Sequence, residues 1–386
     1  MNLGGRSADQ VPRRLLMTAD AVGGVWAYAL TLCRELSATG TQVLLATMGP
    51  PPTAAQARVA RSIRNLELEV SAFALEWMDD PWQDVDRAGD WLLGLEQRFR
   101  PEIVHLNGYC HASSSFGAPK LVVGHSCVSS WWQHVLGTSA PDRYQIYRER
   151  VRAGLRAAAH VVAPTAAMLR NLQQHYGPLP AASVLANGVA FAPPPRRQRR
   201  YVLGVGRAWD PAKNAGLLAR VARRIQLPVH WAGDPTGPTD QAPDLSGLRL
   251  LGHLDQRRLA EAYAGALVYA HPARYEPFGL APVEAALSGC PLLLSDIDSL
   301  REVWEDAARY APPQDPEAWA HAIDALFKAP SQRLQVAERA RERAQAYSPR
   351  AMADAYRMLY RRLLEASEPH GRVGERRRQT PTAEAS

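Results

Sequence analysis

Short apolar runs alternate along this chain with longer stretches whose apolar positions recur at helical spacing. In the first half, Leu15–Thr18, Val43–Thr47, Leu68–Phe73, Ile103–Leu106, Leu121–Val123, Val161–Ala163 and Ser183–Ala186 read as strands. Val25–Ala38, Trp82–Phe99, Asp142–Ala158 and Ala166–His175 read as helices between them. Phe191-Ala192-Pro193-Pro194-Pro195 then breaks the pattern, because three prolines continue neither a helix nor a central strand. It restarts with strands at Tyr201–Val205, Val229–Ala232, Leu248–Leu251, Leu267–Ala270, Pro291–Ser295 and Arg309–Ala311. Helices are expected at Lys213–Ile225, Asp255–Ala264, Pro282–Ser288, Leu300–Asp306, Pro316–Lys328, Ser331–Ala346 and Pro349–Ala366. The alternation predicts an α/β protein of parallel sheets covered by helices.

The length of 386 residues allows two domains with separate cores. The boundaries expected are 1–190, 191–346, a closing helix over 347–366, and a polar, disordered tail over 367–386. No apolar run reaches the roughly 18 residues of a membrane span, and no secretory leader is visible, so a cytoplasmic location is expected. Cys33, Cys110, Cys127 and Cys290 lack metal-ligand spacing and read as buried free thiols. The net charge of +7 is carried almost wholly by arginine, since Lys120, Lys213 and Lys328 are the only lysines. The clusters Arg196-Arg197-Gln198-Arg199-Arg200 and Arg376-Arg377-Arg378 read as solvated surface, with peripheral attraction to the inner face of an anionic membrane as the functional alternative. No nucleic-acid-binding pattern accompanies them.

The chemistry concentrates in a few strand–loop–helix corners. Arg274-Tyr275-Glu276-Pro277-Phe278-Gly279-Leu280-Ala281-Pro282-Val283-Glu284 places two carboxylates on either side of an aromatic-Gly turn and a helix start. Free N–H groups of a first helical turn make such a corner an anion site. Gly206-Arg207-Ala208-Trp209-Asp210-Pro211-Ala212-Lys213-Asn214 sets two cations across one loop, with Lys213 opening the next helix. A planar fork and a point charge so spaced can grip a diphosphate. Gly204 and Gly206 lack the third glycine of a dinucleotide fingerprint, because position 209 is Trp, and NAD binding is disfavoured. Asp20-Ala21-Val22-Gly23-Gly24-Val25 is a glycine turn between a strand and a helix, and Val122-Val123-Gly124-His125 sets a histidine after a strand. Trp131 and Trp132 either stack on an acceptor or pack the cleft.

The Glu276-to-Glu284 stretch resembles the signature of family 4 retaining nucleotide-sugar glycosyltransferases, in which two glutamates enclose a Phe-Gly turn. Gly206-Arg207 with Lys213-Asn214, Gly23-Gly24, and His125 after its strand match further elements of that family. The family histidine is often followed by an acid, where Ser126 stands here. The resemblance implies a GT-B architecture: two Rossmann-like domains with parallel sheets facing a central cleft, acceptor in the first, donor in the second, and the last helix crossing back. It implies that Glu276 holds sugar hydroxyls, Glu284 the ribose, and Arg207 and Lys213 the leaving diphosphate with the backbone near Phe278, Gly279 and Leu280. Gly23 and Gly24 would lie by the donor phosphate, His125 by the transferred sugar, Gly233 in the nucleotide pocket and the Leu254 backbone by the base. Trp26 is expected on the acceptor side. The reaction implied is hexosyl transfer with retention from a nucleoside-diphosphate sugar, a UDP-sugar being slightly favoured. The acceptor is unidentified and belongs to polysaccharide or glycoconjugate synthesis. No cofactor and no metal is expected, since the two cations serve and no Asp-x-Asp motif is present, and the chain is expected as a monomer or homodimer. The alternatives are a nucleotide-sugar epimerase on the same fold and a non-catalytic binding subunit.

Overall fold

A computed structural model of the chain describes residues 11–196, 199–237 and 243–367. Two all-parallel sheets dominate it. The first has seven strands: β1 (Arg14–Asp20), β2 (Gln42–Met48), β3 (Leu66–Val70), β4 (Ile103–Leu106), β5 (Lys120–Val123), β6 (His160–Ala163) and β7 (Ala182–Val184). They lie in the order β3-β2-β1-β4-β5-β6-β7. The second has six: β8 (Val202–Val205), β9 (Val229–Ala232), β10 (Leu248–Gly252), β11 (Val268–His271), β12 (Leu292–Ser295) and β13 (Arg309–Ala311), ordered β10-β9-β8-β11-β12-β13. Each is a doubly wound sheet whose order reverses beside its first strand, between β1 and β4 and between β8 and β11. Crevices for ligands open at such reversals, at the carboxyl ends of the strands. The loops after β1, β5, β8 and β11 carry the motifs singled out above.

The central strands are short apolar runs because both of their faces are covered. Leu16, Leu44, Val104 and Val122 face one core, and Leu15, Met17, Val43 and Leu121 the other. The helix Pro349–Ser367 lays Met352, Tyr356, Tyr360 and Leu363 into that second core, against the helix Gly24–Ala38. Its Tyr360 hydroxyl meets His105 Nδ1 at 2.6 Å. The chain therefore passes between the domains twice, once through the irregular stretch before β8 and once near Tyr347. The two passages touch: the Val189 N–H donates to the Tyr347 carbonyl at 2.9 Å, and the Gly188 N–H lies 3.0 Å from Met352 Sδ.

Three local differences from the sequence reading have clear causes. The helix expected from Lys213 begins at Ala215, because Asn214 is left-handed (φ 57°) with its side-chain amide donating to the Pro272 and Pro313 carbonyls. Lys213 thus sits in the turn before the helix. A helix at Ala54–Arg61, begun by a Thr53/Gln56 capping box, was not anticipated. Arg196 is no free surface charge: its guanidinium donates to the Ser288 and Ala266 carbonyls, while Arg200 covers Phe327. Arg197, the Arg376–Arg378 cluster and the tail from residue 368 lie outside the described residues. All four cysteines are buried free thiols. No helix among the described residues is long and apolar enough to cross a membrane.

Candidate active site

Glu276, in the loop after β11, is the most heavily constrained side chain of the cleft. Its Oε2 accepts from Lys213 Nζ at 2.7 Å and lies 3.0 Å from His271 Nε2. The Tyr269 hydroxyl lies 3.1 Å from His271 Nδ1. Burial keeps His271 neutral, pushing its pKa below the usual value against the pull of Glu276. One assignment of protons satisfies the row: Tyr269 donates to Nδ1, and Nε2–H donates to the carboxylate. Burial opposes ionisation of Glu276, but Lys213 and His271 together outweigh it and hold the carboxyl well below its usual range. Its backbone carbonyl is held by Ser299 Oγ at 2.5 Å.

Arg207, after β8, reaches the cleft from the other side of the same loop system. It donates to Asp210 Oδ2 at 2.8 Å and lies over the Trp209 ring. Below these groups the helix Leu280–Leu287 begins. Its N-cap Gly279 has φ 93° and no side chain to satisfy the first turn. The N–H groups of Leu280 and Ala281 therefore point out of the helix without an intrahelical partner. A pair of cations and a helix start converge on one space, which is the arrangement that suits a polyanion.

That space is a cavity of about 290 Å³ lined from both domains, with Gly23, Gly24, His125 and Trp131 on one wall and Arg207, Lys213, Glu276, Phe278, Gly279 and Leu280 on the other. His125 Nε2 meets Asn107 Oδ1 at 2.8 Å, and Asn107 is itself oriented by donating to the Thr18 carbonyl at 2.7 Å. The edge of Tyr28 packs on the ring. Burial lowers the His125 pKa to about 4, so the ring is neutral, with its proton on Nε2 and Nδ1 left as an acceptor.

Five residues singled out from sequence lie elsewhere. Trp26 is buried in the first domain's core behind the glycine loop, where its bulk covers the sheet. Trp132 is not in the cavity lining; it packs against Trp131 and Tyr144. Gly233 lies outside the lining too, and the tight approach of the Gly206 carbonyl, 2.0 Å from where a Cβ would stand, explains its glycine. Leu254 packs half-buried on the second domain's core. Glu284 points to the Tyr263 hydroxyl, which donates at 3.0 Å, and burial raises its pKa to about 7.

Three residues of the site were missed, two that line the cavity and His271, buried behind Glu276. Asp20 closes β1 within the quoted glycine motif, and the strand end was its only signal. It lines the cavity and accepts the Val22 N–H at 2.8 Å. Burial raises its pKa to about 6, against that N–H and the Arg207 charge. His271 ends the apolar run of β11, where a polar residue in a buried strand was the available sign. Trp77 lines the cavity from a loop whose sequence gives no pattern. Among the described residues no group of three or more His, Cys, Asp or Glu is placed to hold a metal ion.

The domains also grip each other beside the cavity. Tyr275 enters the first domain's core, stacked on His134, with its hydroxyl near the Cys127 N–H. Glu302 accepts from Ala166 N at 2.6 Å and Ala167 N at 2.9 Å, capping a helix of the opposite domain, and Thr165 Oγ1 donates to the Pro277 carbonyl.

The family model described as Glycosyltransferase Family 4 matches residues 22–192, and that for Glycosyl transferases group 1 matches residues 241–343. A D-inositol 3-phosphate glycosyltransferase of Kineococcus radiotolerans is 31% identical over 54% of this chain and 58% of its own length. A phosphatidyl-myo-inositol mannosyltransferase of Mycolicibacterium smegmatis is 34% identical over 39% of this chain and 42% of its own length. The chain thus spans only about half the length of these curated relatives. Among solved structures, sucrose-phosphate synthase from Thermosynechococcus elongatus superposes with a TM-score of 0.76 at 18% identity, covering 92% of this chain and 100% of that one. Anabaena HepE in complex with UDP-glucose gives 0.70 at 16% identity, covering 92% and 99%.

Proposed function

This chain belongs to the family 4 glycosyltransferases of GT-B fold, and from that premise we propose that it moves a hexose from a nucleoside-diphosphate sugar to an acceptor hydroxyl with retention. The observation that carries the reading is the convergence of Arg207, Lys213 and the open helix start at Gly279 and Leu280 on one cavity, with Glu276 beside them. The leaving nucleoside diphosphate develops negative charge as the glycosidic bond breaks. Fixed donors aimed at that charge lower the barrier without reorganising. Arg207 and Lys213 supply the charge, and the Leu280 and Ala281 N–H groups supply dipoles.

Glu276 is held ionised and oriented, so it serves as an acceptor for sugar hydroxyls. Its oxygen already takes two donors, which fits a positioning role better than a nucleophile's. His125, neutral and with Nδ1 free to accept, would hold another hydroxyl of the same sugar. The departing phosphate oxygen would take the acceptor's proton on the face from which it leaves, giving retention. The two cations would do this without a divalent ion. A UDP-sugar is the donor we favour, and the bound UDP-glucose named for the similar HepE fold supports that choice.

A thermal-shift panel of nucleoside diphosphates and their sugars tests the donor, since ligand binding to the folded state raises its apparent stability. UDP and UDP-hexoses should raise the melting temperature, and Arg207→Ala with Lys213→Ala should abolish the rise. NMR of the product should show the donor's anomeric configuration, and EDTA should leave the rate unchanged. An inverted product or an EDTA-sensitive rate would overturn those parts of the reading.

A further inference from the structure

The wall of the cavity contributed by the first domain differs in character from the opposite one. The second domain brings Arg207 and Lys213. Among the described lining residues of the first domain there is no lysine or arginine, and its one acid is Asp20. His125 on this wall is neutral. The two cations opposite are already engaged, Lys213 by Glu276 and Arg207 by Asp210, and both are needed at the diphosphate. A phosphate carried by the acceptor would face Asp20 with no cation of its own, and an unpaired anion in such a site is costly.

The same wall offers an aromatic platform. Trp77 is 50% exposed and lines the cavity, among the most exposed large hydrophobic residues of those described. The loop holding it is anchored by its neighbour Glu76, whose carboxylate accepts the Tyr109 N–H at 3.1 Å and the Cys110 N–H at 2.8 Å. Trp77 is therefore presented by a fixed backbone, and Trp131 stands in the same cavity. An apolar ring with a few convergent polar groups is the usual make-up of a small-molecule subsite.

We propose that this wall is an acceptor subsite for a neutral polyhydroxylated ring, stacked by its C–H face on Trp77 and held by a hydroxyl donating to Asp20. The inference rests on the glycosyl-transfer reading above and narrows its acceptor to a ring without phosphate. Its bonds balance simply: the acceptor oxygen joins the anomeric carbon, the bond to the diphosphate breaks, and the acceptor proton leaves with the phosphate.

The test uses the full chain with UDP-glucose and follows UDP release and ligand-observed NMR binding. The panel holds methyl glycosides, disaccharides and myo-inositol as neutral rings, and inositol 3-phosphate as the charged one. Neutral rings should bind and raise UDP release over the donor-only rate, and inositol 3-phosphate should do neither. Trp77→Ala should raise the acceptor KM about tenfold or more with a smaller change in kcat, and Trp77→Phe should recover most of the loss. Asp20→Asn should raise the acceptor KM at pH 7.5 and flatten its rise toward pH 5. Transfer to inositol 3-phosphate alone, or failure of every neutral ring to bind or accept, overturns the proposal while donor binding leaves the transfer reading standing. Absence of any donor binding overturns both.

Discussion

At the residue scale, the carboxylate of Glu276 and its two nitrogen partners form one electrostatic unit. Removing the ammonium leaves a charge in a largely water-excluded place, so Lys213→Ala should cost about 3 kcal/mol of stability. It should also lower kcat by about 10²–10³, as loss of one transition-state donor does. Denaturant unfolding and initial rates check both, and adding Glu276→Gln to Lys213→Ala should return part of the stability without returning the rate. Glu284 gives a prediction with the opposite sign. Its pKa rises from 4.5 unfolded to about 7 folded. The folded state therefore holds a proton that the unfolded state releases, and stability falls as pH climbs from 4.5 through 7. Glu284→Gln should match the parent near pH 4 and exceed it by up to about 3 kcal/mol at pH 8. Equal unfolding midpoints for the two proteins at pH 8 would refute the raised pKa. The charged pair of loops was readable from sequence because cations and acids in that spacing are rare by chance. Trp77 and His271 were not, since an aromatic in an irregular loop and a polar residue in a buried strand carry no periodic signal.

At the element scale, strand and helix positions followed from apolar runs because the central strands of each sheet are covered on both faces. Ile103–Leu106, Val229–Ala232 and Arg309–Ala311 fall where the pattern put them. The pattern was weakest where side chains override it. Asn214 delays a helix by bonding two carbonyls, and the turn at Trp132–Leu136, a π-helical one, follows no apolar period. Gly279 shows what such a position controls. Its φ of 93° is unfavourable for any residue with a Cβ, and one built there would stand 3.1 Å from the Pro282 ring. Gly279→Ala should cost about 1–2 kcal/mol. It should also weaken UDP binding by displacing the N–H groups that follow, and calorimetric titration would register the change. Unchanged affinity would detach the helix start from the diphosphate.

At the scale of the whole molecule, the two domains are held face to face by Tyr275 in the opposite core and by Glu302 on the opposite helix. Glu302→Ala should remove two charge-assisted bonds and cost about 1–2 kcal/mol. Small-angle scattering should show a wider mean separation of the domains, while the fold of each is kept. An unchanged scattering profile would mean that Tyr275 and its neighbours suffice. The doubled passage of the chain sets how such opening can happen. Val189 is bonded to Tyr347 and Gly188 meets Met352, so the two connections lie side by side like paired pins through one hinge knuckle. A single strand would let one lobe swivel freely upon the other. Two joined connections would favour a swing about one line over a twist, so a closing movement would return both lobes to the same alignment.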